Sequence, residues 1–279
     1  MQEVFRQRES LLSPPRRRNV AGVLALLILL VYFIAMLLAN QIAPADPQQT
    51  STATLHPPSS QHLFGTDDLG RDVFSGVVHG ARTSLLIGLT VAVLSSLIGL
   101  LIGVSAGWIG GLVDDLLMRL TELFLTPPRF FLALVIAAIF GSSFSTLIVV
   151  LSLTFWPVTA RVLRAETLSL RERSFVEAAR AIGASRWRIL WREVLPHLLP
   201  LLITSTAVRI GNVILVEAGL EFLGLGDQER ITWGYLLHNG QHFMRDAWWM
   251  VVFPMLALSL LLVAINVAGD ELNRALNPH

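Results

Sequence analysis

His238 and His242 stand four residues apart, the spacing at which two imidazoles on one helical face can share a metal ion. Asn239-Gly240 between them favours a turn, which would destroy the common face, so no metal site is expected there. Thr66-Asp67-Asp68 and Asp72 offer clustered oxygen ligands but lack the spacing of a calcium loop. A solvated loop or a helix cap suits them better. Asp115, Arg119 and Glu122 recur at helical spacing and are expected to neutralise one another on one face.

Cysteine and lysine chemistry, with the Walker A phosphate loop, is excluded by composition. The chain has no cysteine, which removes disulfides, catalytic thiolates and thiolate metal sites. All 21 lysine-plus-arginine residues are arginine. Without lysine there is no Walker A loop, no Ser-Lys dyad and no Schiff base. No H-E-x-x-H or G-x-S-x-G pattern occurs. The sequence therefore assigns no catalytic, cofactor-binding or metal-binding residue, and if ATP drives this protein another chain must bind it.

Arg209 is different in kind, because it lies near the middle of an apolar run. A central arginine costs about 2.5–3.5 kcal/mol to insert into a membrane, so its side chain must face protein or water. A translocation pathway or subunit interface would use it. An ion pair or backbone contact would merely satisfy it. Both readings stay open at this point.

The elements that hold these residues are membrane spans. Of 279 residues, 53% are hydrophobic and 15% charged, against about a quarter charged in soluble domains. Mean hydropathy is +0.62. The formal net charge of +1 provides no argument for a nucleic-acid partner. Val20–Ile42 has the roughly 20 residues needed to cross the hydrocarbon layer. It is too long for a signal-peptide core, although Ala43-Pro44-Ala45 resembles a cleavage site, so an uncleaved anchor is expected. Further apolar runs cover Ser84–Trp108, Leu112–Phe140, Ser145–Leu168, Leu198–Val216 and Trp248–Ala268. Pro127-Pro128 predicts a kink or break in the third. The expected fold class is all-α and polytopic, with six transmembrane helices.

Charge predicts the orientation. Five arginines precede the first span and eight lie within 161–192, so both segments are expected on the cytoplasmic side. This divides the chain into a cytoplasmic tail (1–19), a first span (20–42) and an extracytoplasmic loop (43–80) that ends in a short helix. A five-span core (81–272) with a cytoplasmic loop (169–196) and a cytoplasmic C-tail (273–279) follow.

The cytoplasmic loop has the most pattern. Phe175, Ala178, Ala179 and Ile182 form one apolar stripe at helical spacing, and Gly183 interrupts it. Trp187, Leu190, Trp191 and Val194 form a second stripe, ringed by Arg186, Arg188 and Arg192. Two short amphipathic helices joined at a glycine bend are predicted, with Pro196 marking the next span. Such a basic surface could lie on anionic lipid or dock a soluble partner, the small Ala178 and Ala179 allowing close approach.

Glu177-Ala178-Ala179, Gly183 and Leu195-Pro196 resemble the EAA-x3-G…LP signature of ABC-importer permeases, departing from it at Glu193. Phe64–Asp72 and Glu217–Gly226, the latter followed by Trp233-Gly234, resemble signatures of the peptide and nickel permeases. Asn266–Asp270 and Leu276-Asn277-Pro278 are similar to the same group, while Asp227–Thr232 lacks its usual prolines. The resemblance spans about residues 15–279 and implies a MetI-like ABC-importer permease fold, as the C-type subunit of a dipeptide, oligopeptide or nickel importer. It implies that Glu177, Ala178, Ala179, Gly183, Leu195 and Pro196 couple the chain to an ATPase. The implied partners are a second homologous permease, two ATP-binding subunits, an extracytoplasmic substrate-binding protein and membrane lipid. Peptide is the first cargo expected and a nickel or metal chelate the second. A secondary transporter would show inverted repeats and mid-membrane acids, and a membrane enzyme a catalytic constellation; neither is visible.

Overall fold

The computed structural model describes residues 20–43, 46–227 and 229–276. The arginine-rich tail, Pro44 with Ala45, and Asn277-Pro278 lie outside them, as do the expectations placed on those residues. The described residues contain no strand, only an isolated bridge between Thr66 and Asp72.

The helices are α1 (Val20–Leu37), α2 (Ala39–Ile42), α3 (Val73–Ile109), α4 (Gly111–Leu125), α5 (Arg129–Phe140), α6 (Phe144–Arg171) and α7 (Ser174–Ala181). They continue as α8 (Arg186–Phe222), α9 (Trp233–Gly240) and α10 (Trp249–Leu276). Five of them, α1, α3, α6, α8 and α10, are long and apolar enough to cross a membrane. The pair α4–α5 passes the same test when taken together, bent by 84° at its break, and makes a sixth crossing if it is one span. The break falls at the predicted place: Pro127 and Pro128 lie between the two halves, where neither a proline N–H nor a continued ladder is available.

Two boundaries differ from the sequence reading. The second span begins at Val73, ahead of the apolar run from Ser84, and it includes the short helix expected at the end of the external loop. Its 37 residues measure about 55 Å at 1.5 Å per residue, well beyond a hydrocarbon layer of about 30 Å. Its first turns are largely buried against the rest of the protein. Likewise, the second helix expected in the 169–196 loop is no separate element. Residues 186–189 run through a π-helical turn at Leu190–Val194 into the fifth span, so Pro196 sits inside α8 and does not open it.

Lipid is as apolar as leucine, so close backbone approach holds spans together where water would supply a hydrophobic force. α3 and α6 meet in this way at Gly99, Gly103 and Gly107, one helical turn apart. A Cβ on Gly103 would sit 2.9 Å from Ala160 Cα, and one on Gly107 would sit 2.8 Å from Thr167 Cβ. α5, α6 and α8 enclose a core of Leu147, Leu151, Phe155 and Leu220, against Ile87 of α3. α1 lies on the outside, with Tyr32 Oη donating to Ala257 O of α10 at 2.6 Å.

Candidate functional site

Helix α7 presents Glu177 and Ala178 to solvent and turns Val176 fully inward. Val176 joins Ile189, Leu190, Val194 and Leu198 of α8 with Trp108 and Leu163, and Phe175 and Ala179 pack against this cluster. The face of α7 opposite Glu177 is therefore braced on the fifth span. The apolar stripes expected from spacing are split by this packing. Ala178 and Ile182 point outward, Ile182 being 86% exposed, and Trp187 and Trp191 are exposed while Leu190 and Val194 are buried.

Gly183 ends α7 in a Schellman motif. Its N–H donates to Arg180 O at 3.0 Å, and Ala184 N–H donates to Ala179 O at 3.1 Å. This closure needs a left-handed residue, and Gly183 has φ of +81°. Ser185 then caps the start of α8 by accepting from Arg188 N at 3.4 Å. Leu195, ten residues after Ser185, is half-buried, and Pro196 is exposed. The structure thus places Glu177, Ala178 and Gly183 on one exposed element, with Ala179 turned partly inward and Leu195-Pro196 in the α8 stem behind it.

Arg209 sits on α8, 8% exposed. Its Nη1 donates to Phe155 O of α6 at 2.8 Å, and its Nε has no hydrogen-bond partner among the described residues. The side chain lines a cavity of ≈ 440 Å³ between α6, α8 and the last turns of α10. Arg129, at the first position of α5, lines the same cavity and stacks its guanidinium 4.4 Å over the Phe155 ring. Of the roles open to Arg209 from its place in the chain, the backbone contact is made, to Phe155 O. Spacing along the chain does not single out Arg129. Its signal is an arginine directly following the proline pair that breaks a span.

The signature residues of the 43–80 loop form a clasp. Asp72 caps α3, its Oδ2 accepting from Ser75 N at 2.8 Å, as a helix-cap reading of that aspartate expects. Asp67 accepts from Arg71 Nε at 2.5 Å, and Arg71 Nη1 donates to Tyr235 Oη of α9 at 3.1 Å. Burial opposes the Arg71 charge, but Tyr235 and Asp67 outweigh it and hold its pKa above the ordinary guanidinium value. Trp249 Nε1 of α10 donates to Thr66 O at 3.0 Å. From α8, buried Glu221 accepts from Tyr235 N at 3.1 Å and from the Thr232 hydroxyl. Glu217, one turn earlier, is fully buried. The signal for both is two glutamates four apart at the end of an apolar run, because acids in spans are functional candidates by default.

Two further expectations are corrected. No ion pair among the described residues joins Asp115, Arg119 and Glu122; the paired acid is Asp114, held by Arg164 of α6 at 2.5 and 2.6 Å. A cross-helix arginine with a suitable fork outcompetes neighbours that remain exposed to solvent. Nor does Asn239-Gly240 make a turn. α9 runs through it, and the rings of His238 and His242 lie 5.9 Å apart. His238 Nδ1 is occupied by Phe222 O at 2.9 Å, and no cluster of three metal-ligating side chains exists among the described residues.

The described residues form a broken-span helical bundle with an exposed, glycine-terminated loop helix. A chain of the MetNI methionine ABC transporter, solved in inward-facing conformations, has the same fold at TM-score 0.60 and 20% identity, over 72% of this chain and 96% of that one. Residues 99–279 match the family described as "Binding-protein-dependent transport system inner membrane component". The chain belongs to this family, and is a multi-pass inner-membrane permease. A Brucella suis biovar 1 protein named as a peptide transport system permease is 42% identical over 94% of this chain and 88% of its own. An Escherichia coli K12 protein named as a D,D-dipeptide permease is 36% identical over 92% of this chain and 87% of its own. The dipeptide permease of Bacillus subtilis 168 is 34% identical over 94% and 83%.

Proposed function

We propose that this chain forms one half of the translocation pathway of an ATP-driven peptide importer. The observation that carries the reading is the exposed α7 element, with Glu177 and Ala178 facing solvent and its back packed on the fifth span. A load applied to α7 passes directly into α8, because Val176 shares a core with Ile189, Val194 and Leu198. Glu177, Ala178, Ala179 and Gly183 are the contact to an ATP-binding subunit, and Leu195-Pro196 belong to the stem that transmits its movement. Peptide as cargo is supported by the names of the relatives.

In this reading two permeases pair, two ATP-binding subunits sit beneath them, and a binding protein delivers cargo to the external clasp. ATP binding draws the coupling helices together and opens the pathway outward, and hydrolysis resets it. The hydrolysis belongs to the partners. Both termini and the 169–196 loop are cytoplasmic, and the 46–72 and 223–248 segments are external, as the arginine clusters support.

The test is reconstitution of the full complex in proteoliposomes with a labelled dipeptide, beside nickel as a competing cargo. ATP-dependent dipeptide uptake that Glu177→Arg abolishes, with reduced ATPase co-purification or uncoupled hydrolysis, is expected. Uptake of nickel alone would overturn the cargo, and full uptake with full ATPase complement in Glu177→Arg would overturn the docking role.

A further inference from the structure

Arg129 and Arg209 reach one cavity from two different helices. Among the described residues, no ion pair within 4 Å involves either guanidinium. Arg209 is more than nine-tenths buried, lines the cavity, and has a buried Nε without a hydrogen-bond partner among the described residues. An unmade hydrogen bond on a buried charged group is costly. Thr159 Oγ1, on the same wall, is also buried without a partner. Among the described residues Asp270 is the one acid lining the cavity, and it is exposed and paired with neither arginine.

The broken span adds to the field. α5 begins at Arg129 with Pro128 before it and no side-chain cap. The first N–H groups of its 12 residues have no intrahelical acceptor, and they carry the positive end of the helix dipole. Half-helices of this kind turn their N-termini towards anionic groups within membranes. A guanidinium fork matches a carboxylate in plane and spacing. The ≈ 440 Å³ volume suits a small, polar, extended molecule, and Thr204, Ser205 and Asn212 supply neutral polar walls.

We propose that Arg129 and Arg209 form a transient binding site for the free carboxylate of the cargo, at the mouth of the broken span. The proposal rests on the peptide-permease reading and deepens it by naming the group of the peptide that the membrane domain handles. Phe155 positions both cations: its carbonyl holds Arg209 and its ring holds Arg129. No bond is made or broken. The carboxylate exchanges water for the two guanidinium groups and leaves again when the pathway changes its opening.

The test compares uptake of a labelled dipeptide with uptake of its C-terminal amide by the full complex, for the wild type and for Arg129→Gln, Arg209→Gln and Arg209→Lys. The same binding protein serves every arm, so its own preference cancels from the acid-to-amide ratio between variants. Loss of a charge-assisted contact should lower uptake of the acid about tenfold or more, leaving the amide unchanged. Arg209→Lys, with its charge but no fork, should fall between. A parallel fall of acid and amide, with the ratio held, would overturn the proposal. It would assign the arginines to structure, or to a carboxylate or phosphate that a neighbouring subunit or lipid keeps there permanently. An unchanged acid uptake would overturn it too. Should Arg209→Gln fail to assemble, the ratio measured for the half-buried Arg129→Gln decides alone. A wild-type complex that moves neither compound would instead sink the peptide reading beneath it.

Discussion

Arg164 grips both carboxylate oxygens of Asp114, at 2.5 and 2.6 Å, and so ties the fourth span to the first half of the broken third span. The two residues are 50 positions apart. The pair is partly buried, with side-chain exposures of 31% and 14%. It fixes the half-helix immediately before the break that sets Arg129 at the cavity.

Breaking this pair should loosen the broken span. Asp114→Asn should destabilise the detergent-solubilised protein by about 1.5–3 kcal/mol, the range for a charge-assisted hydrogen bond. The measurement is thermal unfolding beside that of the exchanged double variant Asp114→Arg/Arg164→Asp, which should recover part of the loss. A double variant no more stable than Asp114→Asn would show that the pairing itself contributes nothing.

Gly103 should tolerate no larger residue. A new Cβ meets the backbone of Ala160, which cannot swing aside as a side-chain end can. Gly103→Leu should separate α3 from α6 and cost at least the roughly 1–3 kcal/mol of an overpacked core. Yield of folded protein by size-exclusion profile is the readout. Leu101→Ala, on the lipid-exposed face of the same helix, serves as the control that should change little.

Gly183 requires its backbone conformation and not its empty space. Nothing lies within 4 Å of the position a Cβ would occupy, yet φ is +81°. Gly183→Asn should therefore keep most uptake, because asparagine visits the left-handed region readily, whereas Gly183→Val should lose it at a strain of about 1–2 kcal/mol or more. Equal uptake by the two variants would refute a conformational role for this glycine.

Glu221 should be replaceable by an acceptor and by nothing else. Glu221→Leu removes the oxygen that receives Tyr235 N–H and the Thr232 hydroxyl, at about 1–3 kcal/mol per unsatisfied group. The segment from Gly224 to Gly240 should then become open to limited proteolysis, while Glu221→Gln keeps it protected. Equal protection in Glu221→Leu would remove Glu221 from the clasp.

Much of this protein could be read along the chain because the governing physics is local. A span is a run of apolar residues long enough for the hydrocarbon layer, so the five long apolar helices and the bent pair could all be read from the sequence. The break at Pro127-Pro128 follows from a missing N–H, and the bend at Gly183 from the one residue that accepts positive φ cheaply. Partnership could not be read, because it depends on which faces meet. Periodicity showed that Phe175, Ala178, Ala179 and Ile182 share a stripe, but packing on α8 chose Val176 as the buried residue. Spacing offered Asp115, Arg119 and Glu122 to one another, and the fold chose Asp114 with Arg164. The amphipathic stretch after Gly183 looked like a free helix until the π turn at Leu190–Val194 joined it to the fifth span. Arg209 was legible as a problem in electrostatics, since a charge in an apolar run must be satisfied somewhere. Only the tertiary structure brought Phe155 and Arg129 to it, 54 and 80 residues away in sequence, because no property of a single helix encodes the neighbour it will face.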